Sequence, residues 1–429
     1  MSTLATTYLL IIMAGGLWMG VGLGIAGLII LYFFGGGANS FQIATVAIWN
    51  MLYSFPLVAL PLFILLGELL VQFQLSIRVY RALTPLFERL PGKLLLSNVV
   101  LCSLFGATSG SSMATAATVG SAAYPELRAK GYNRTALLGS LAGSGTLGIL
   151  IPPSIPIIIY ASLTNVSVGA SFVAAVIPAA IAVSLFLAYV MIQSKFRPEY
   201  TPSAGDVVPL RETLPALVNL MPVIALIGCV MGTIYFGLAT VTESAALGVL
   251  ASMVIGLMYK ACTLKRLGRA LLGTSVTCAS IGFVMMGAMI FSMALAVVGL
   301  PREIVAYVQD LQMSPWMLLL AIYAFYFVFG MFIGATEMLV TTLPFTFPLI
   351  LALGHDPVWF AVVIVILCEV GQITPPAGFV LFILKGIAGK DTTMGELARG
   401  SIPYIILLLT VLALITVYPQ LATYLPSAM

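Results

Sequence analysis

"GSGTLGILIPPS", Gly143–Ser154, decides how this chain is read. It lies in an apolar stretch long enough to cross a bilayer, yet it ends in two consecutive prolines, which lack the N–H a helix needs there. Each missing donor strands a carbonyl four residues upstream, and hydrocarbon holds no water to satisfy it. Irregular backbone persists at membrane depth only where protein buries it or where it lines a wet cavity.

The composition leaves no other solvent for this stretch. Of 429 residues, 61% are apolar and 7% charged, against about 25% charged in a soluble domain. Apolar runs of the roughly 20 residues that cross about 30 Å of hydrocarbon recur from end to end. The chain reads as an all-α polytopic membrane protein with no soluble domain. Its net charge of +4 comes from Lys and Arg scattered between spans, so nucleic acid is not an expected partner. Cys102, Cys229, Cys262, Cys278 and Cys368 show no CxxC spacing and read as small buried hydrophobes rather than metal ligands or a disulfide framework. The first apolar run, Leu4–Phe34, has no basic residue before it and exceeds a signal-peptide core; it is expected to be a retained first span.

Charged breaks delimit segments near 4–34, 42–75, 94–124, 134–165, 168–194, 214–238, 242–259, 270–299, 315–353, 357–389 and 401–425. If 94–124 and 315–353 enter and leave by one face as hairpins while the others cross, 17 of the 18 basic residues fall on one side, with only Arg302 opposite. The positive-inside rule makes that side cytoplasmic, with the N-terminus cytoplasmic and the C-terminus periplasmic. If both segments crossed instead, the segregation would be lost. The hairpins open from opposite faces, so the two halves are inverted, as in secondary transporters.

A shift of 223 positions lays the opening stretch on "EVGQITPPAG", Glu369–Gly378, with Gly148 on Gly371, Pro152 on Pro375 and Pro153 on Pro376. The same shift pairs Thr118 with Thr341, Pro125 with Pro348 and Gly131 with Gly354, while a shift of 220 pairs "FILLG", Phe63–Gly67, with "FVMMG", Phe283–Gly287. Each half therefore carries a hairpin followed by a broken span. Discontinuous helices in matching positions of inverted halves point to a substrate and ion site near the midplane.

The hairpin tips are "GATSGSSMATAATVG", Gly106–Gly120, and "GMFIGATEMLVTTLP", Gly330–Pro344. Hydroxyl and unwound carbonyl oxygens suit a hard monovalent cation such as Na⁺, while half-helix N-termini offer N–H donors to a carboxylate. Small residues also let helices approach closely, but close packing does not require Pro-Pro at a matching offset. Glu68, Glu243, Glu337 and Glu369 fall at membrane depth, where an acid is costly and functional by default. Glu337 at the second tip is the leading candidate, against a helix-cap role. For Glu68 and Glu243 a scaffold hydrogen bond is an equal alternative. A serine-protease reading of "ATSG" lacks a base, because the one histidine, His355, lies in the "GHDP" turn. With no metal cluster or nucleotide loop, an enzyme is not expected.

Together, "FGATSGSSMA", "GILIPPSIPIIIYA", "TESAALG", "GMFIGATEM" and "QITPPAGFVLF" resemble the large membrane subunit (M, or DctM-like) of tripartite ATP-independent periplasmic (TRAP) transporters, over essentially the whole chain. The resemblance implies an inverted-repeat, elevator-type fold with two re-entrant hairpins and two discontinuous helices. It implies a bacterial inner-membrane importer, not an enzyme, driven by Na⁺ and without other cofactor. The cargo would be an organic acid (a C4-dicarboxylate, sialic acid or another sugar or keto acid) delivered by a periplasmic binding protein. A small four-helix membrane subunit would be a separate chain. A stand-alone Na⁺- or H⁺-coupled carboxylate transporter of related architecture is the alternative.

Carried over by position, one Na⁺ site would use Ser109, Gly110, Ser111 and Ser112 with the break at Gly145 and Thr146. The other would use Gly334, Ala335 and Thr336 with Gly371, Ile373 and Thr374. Substrate would meet Ser112, Thr115, Pro153, Glu337 and Pro376. Similar proteins carry an acid at the positions of Thr115 and Gly334; Glu337, about one turn on, is expected to stand in for the second. The expected division is scaffold (1–93), first transport half (94–165), scaffold and arms (166–314), second transport half (315–390) and a C-terminal span (391–429).

Overall fold

The computed structural model describes residues 19–202, 218, 220–310 and 313–429, and the regular elements among them are helical. The start of the first expected span, the first residues of segment 214–238 and Arg211 lie outside the described residues. In chain order the α-helices are α1 (Met19–Phe34), α2 (Ser40–Leu52), α3 (Phe55–Gln72), α4 (Leu75–Phe87), α5 (Leu94–Ser109), α6 (Ser112–Ala129), α7 (Arg134–Leu150), α8 (Ile155–Thr164), α9 (Val168–Phe196) and α10 (Met221–Tyr235). They continue as α11 (Val241–Met258), α12 (Leu264–Val298), α13 (Leu300–Asp310), α14 (Pro315–Gly330), α15 (Ala335–Ala352), α16 (Pro357–Gln372), α17 (Phe379–Ala388), α18 (Met394–Val417) and α19 (Gln420–Ser427).

Caps set many of these boundaries. Asn133, Ser167, Thr263 and Ser314 each accept a hydrogen bond from a backbone N–H in the first turn of the helix that follows, satisfying a donor the helix cannot. Two expected spans are divided. Segment 42–75 is α2 and α3, because Ser54 is extended and Pro56 restarts the helix in its first turn. Segment 401–425 divides at Tyr418, which is non-helical (φ −122°, ψ 76°) before Pro419, since proline disfavours helical geometry in the residue before it.

Both expected hairpins form. α5 and α6 are joined by Gly110 and Ser111, with Gly110 left-handed (φ 60°); α14 and α15 are joined through residues 331–334. Both expected spans break, α7 from α8 and α16 from α17. The second helix of each hairpin begins and ends 223 positions apart in the two halves, Ser112 with Ala335 and Ala129 with Ala352. The repeat reaches further than its matched residues, since the arms α4 and α13 and the spans α9 and α18 also correspond in order.

Contacts tie together the ends that the charge pattern groups. On the basic-rich face Arg134 donates to the Asp391 carbonyl at 2.8 Å, Lys130 lies 3.6 Å from Glu88, and Arg78 covers the Tyr259 ring at 4.7 Å. On the opposite face the Tyr160 hydroxyl donates to the Pro357 carbonyl at 2.7 Å, and the Trp359 indole donates to the Ile415 carbonyl at 2.7 Å. The first broken span is 83% buried, against 33% for α9, so the break is at the core while outer helices expose Leu250, Leu320 and Ile406 as a lipid-facing surface. Of the cysteines, Cys102 and Cys368 are buried, Cys262 and Cys278 are intermediate and Cys229 is exposed.

Glycines set the closest helix contacts. A Cβ on Gly139 of α7 would run into the Gly400 carbonyl of α18, and a Cβ on Gly400 would lie 2.5 Å from the Thr135 carbonyl oxygen. Backbone therefore meets backbone, as small residues allow in membranes. Gly139→Val should separate α7 from α18 at a cost of about 1–3 kcal/mol. A lowered thermal midpoint of the detergent-purified chain checks this; an unchanged midpoint would refute the contact's importance.

Candidate functional site

Each hairpin tip is hydrogen-bonded to the break that follows it. The Ile155 N–H donates to the Gly110 carbonyl at 3.3 Å, and the Gly378 N–H donates to the Met331 carbonyl at 3.2 Å. Ile155 and Gly378 are 223 positions apart. The glycines make the approach possible. A Cβ on Gly106 would lie 2.7 Å from the Gly148 Cα, and a Cβ on Gly371 would lie 2.5 Å from the Gly330 carbonyl carbon. The Pro152–Pro153 and Pro375–Pro376 bonds are both cis.

The first break lies later than the sequence suggested. α7 continues to Leu150, and the irregular residues are 151–154. Gly145 and Thr146 therefore sit inside a continuous, fully buried helix, where the Thr146 hydroxyl donates to the Gly143 carbonyl at 2.7 Å. The reason is the register of the helix bond. Pro152 and Pro153 remove the donors that would reach the carbonyls of Gly148 and Ile149, leaving the preceding turn intact. In the second break, Gly371 accepts from the Thr374 N–H at 3.1 Å, and the Thr374 hydroxyl donates to the Val370 carbonyl at 2.6 Å.

A cavity of about 340 Å³ draws the two halves together. Tip one contributes Ser109, Gly110, Ser111 and Ser112; tip two contributes Ala335, Thr336 and Glu337; Ile149 and Gln372 end the helices before the breaks. Glu68 of α3 and Thr277 and Ser280 of α12 close it from the outer helices. Gly334, Gly371, Ile373 and Thr374 stand behind this lining, as do Gly145 and Thr146. Thr115 is fully buried, its hydroxyl 2.9 Å from that of Ser109, which ties the tip internally. Neither Pro153 nor Pro376 lines the cavity; Pro153 is buried with its carbonyl toward Gly110, and Pro376 is exposed. Gln372, Thr277 and Ser280 are lining residues that lie outside the candidates read from sequence. Gln372 could have been found from its place between Gly371 and the break, whereas the α12 hydroxyls carry no local signal.

The four acids separate. Glu337 is in the first turn of α15, and its carboxylate lies over the Cα of Gly334, in the space a side chain at 334 would take. Glu68 lines the same cavity and packs against Gly273. Glu369 is fully buried away from the lining, with the Leu150 backbone beside its carboxylate. Glu243 completes a capping box with Thr240, whose backbone N–H donates to it at 2.8 Å; here the scaffold alternative holds. His355 stacks on Trp359 with ring centroids 4.8 Å apart, and burial lowers its pKa below the usual histidine value.

The family described as tripartite ATP-independent periplasmic transporter, DctM component, matches residues 6–421. The chain is 30% identical to the C4-dicarboxylate TRAP transporter large permease protein DctM of Pseudomonas aeruginosa, over 94% of this chain and 93% of that one. It is 31% identical to the sialic acid TRAP transporter large permease protein SiaM of Vibrio cholerae, over 87% of each. In fold it is similar to the crystal structure of the YdaH transporter of Alcanivorax borkumensis, with a TM-score of 0.68 at 15% identity, covering 97% of this chain and 98% of that one.

Replacing Pro152 and Pro153 together with leucine should return two N–H donors to the helix and close the first break. Uptake by the reconstituted protein should fall to background while its elution on size exclusion stays that of the parent. Wild-type uptake in the double variant would refute the role of the break.

Proposed function

Because the chain belongs to the DctM family of tripartite ATP-independent periplasmic transporters, a multi-pass inner-membrane permease family that carries organic acids, we propose that it imports an organic acid by Na⁺-coupled elevator transport. The observation that carries the reading is the pair of tip-on-break contacts around one cavity. Ser109–Ser112 hydroxyls and the carbonyls released at Gly148 and Ile149 supply hard oxygen donors for one Na⁺. Gly334, Ala335 and Thr336, with Gly371, Ile373 and Thr374, supply the second set. A bound ion would draw each tip onto its break and so order the walls of the substrate cavity.

In this reading the hairpins and broken helices slide as a body against α1, α3 and α10–α12. α18, joined to α7 at Gly139 and Gly400, travels with that body. The basic-rich face is cytoplasmic, with the N-terminus on that side and the C-terminus periplasmic. A separate four-helix subunit braces the scaffold, and a periplasmic binding protein presents the acid. Its class includes C4-dicarboxylates, sialic acid and other sugar or keto acids.

The test is uptake into proteoliposomes holding this chain with its small subunit and its binding protein. Uptake should require an inward Na⁺ gradient and the binding protein. Accumulation that ignores the Na⁺ gradient would overturn the coupling. Accumulation undiminished without the binding protein would favour the stand-alone alternative.

A further inference from the structure

We propose that the cargo seated in the central cavity is a zwitterionic acid, with its carboxylate at the first hairpin tip and a positively charged nitrogen facing Glu68 and Glu337. The proposal rests on the transport reading but replaces the dicarboxylate and sugar- or keto-acid cargoes named there with a different class of organic acid.

The two tips differ in charge: the second carries Glu337, whereas Gly106–Gly120 at the first holds no ionisable side chain. At the first, α6 begins at Ser112 with no acid in its first turn, and the neutral Ser111 hydroxyl accepts from the Ala114 N–H at 3.4 Å, so the positive dipole end carries no countercharge and can take an anion. Ser112 is 2% exposed, lines the cavity, and its hydroxyl has no hydrogen-bond partner among the described residues. A buried hydroxyl without a partner is costly unless a ligand supplies one. At the second tip the corresponding helix, α15, carries Glu337 in its first turn. Its carboxylate already lies over Gly334, so this helix end answers an anion of its own. The residue 223 positions before Glu337 is Ala114, which shows where the symmetry is broken.

The rest of the lining adds charge of one sign only. Among the described residues, Glu68 is the other ionisable residue around the cavity, and no Lys, Arg or His joins it. A dicarboxylate would bring a second anion to a wall that has two carboxylates and one free helix end. The two coupling ions would balance Glu68 and Glu337 and leave nothing to offset such a dianion in a low-dielectric site. A zwitterion needs no further counter-charge. Its nitrogen meets the two acids, and its carboxylate meets Ser111, Ser112 and the α6 N-terminus.

Ligand binding to the purified full-length chain, read as the shift of its thermal midpoint, tests this without any transport step. Glycine betaine and proline betaine, each in NaCl, should raise the midpoint; succinate should raise it less or not at all. Glu337→Gln and, as an independent variant, Glu68→Gln should each weaken the betaine response by about tenfold or more in apparent affinity. Their ligand-free midpoints show whether each is folded. The proposal is overturned if succinate stabilises as well as either betaine, or if neither betaine stabilises. It is also overturned if the folded variants keep the betaine response and change only the Na⁺ concentration required, which would make Glu337 an ion ligand instead. Sodium-driven uptake of succinate would leave the transport reading standing while removing this one.

Discussion

A proline pair inside a membrane span creates backbone acceptors that neither lipid nor helix can satisfy, and the architecture is arranged around that demand. Each unsatisfied group in hydrocarbon costs several kcal/mol. The chain meets the cost by burying the first broken span far more completely than its neighbours and by bringing a hairpin tip to each break. The hydrogen bonds from Ile155 to Gly110 and from Gly378 to Met331 are the protein's own part of that solution. Oxygens left over at the breaks and tips are the ones proposed to hold sodium.

Close approach is the second condition. A hairpin can reach a break only where side chains are absent, and glycine faces backbone at Gly106 with Gly148 and at Gly330 with Gly371. Gly67 on α3 allows the outer wall to reach the same tip, since a Cβ there would lie 3.0 Å from the Ser109 Cα. The cavity thus has walls from two sets of helices, the hairpins with Ser109–Ser112 and Glu337 and the outer helices with Glu68, Thr277 and Ser280. In the proposed elevator cycle the first set slides past the second and takes the acid from one face toward the other.

The hairpins, both broken spans and the pairing of membrane ends were legible in the sequence because each rests on a local rule. Prolines strip donors, basic residues stay on one side, and Gly-Ser-Thr tips interrupt apolar runs. The first break lies beyond Gly145, the position that the family resemblance implied, because the helix ends only where proline removes its donors and so runs on to Leu150. Thr277 and Ser280 could not be read, since they lie on an ordinary apolar helix and meet the site only through packing. The correspondence of α9 with α18 is fainter, because these spans need only be apolar: it rests mainly on an Ile-Pro pair, Ile177–Pro178 and Ile402–Pro403, at a shift of 225 rather than 223.

Hydrogen–deuterium exchange of the two tips, Gly106–Ala116 and Gly330–Met338, compared in NaCl and in choline chloride at equal ionic strength, tests the central claim most directly. The account predicts that Na⁺ slows exchange at both tips together, by about tenfold or more, because each ion fastens a tip to its own break. Equal exchange in the two salts, or protection confined to one tip, would contradict the paired-site arrangement.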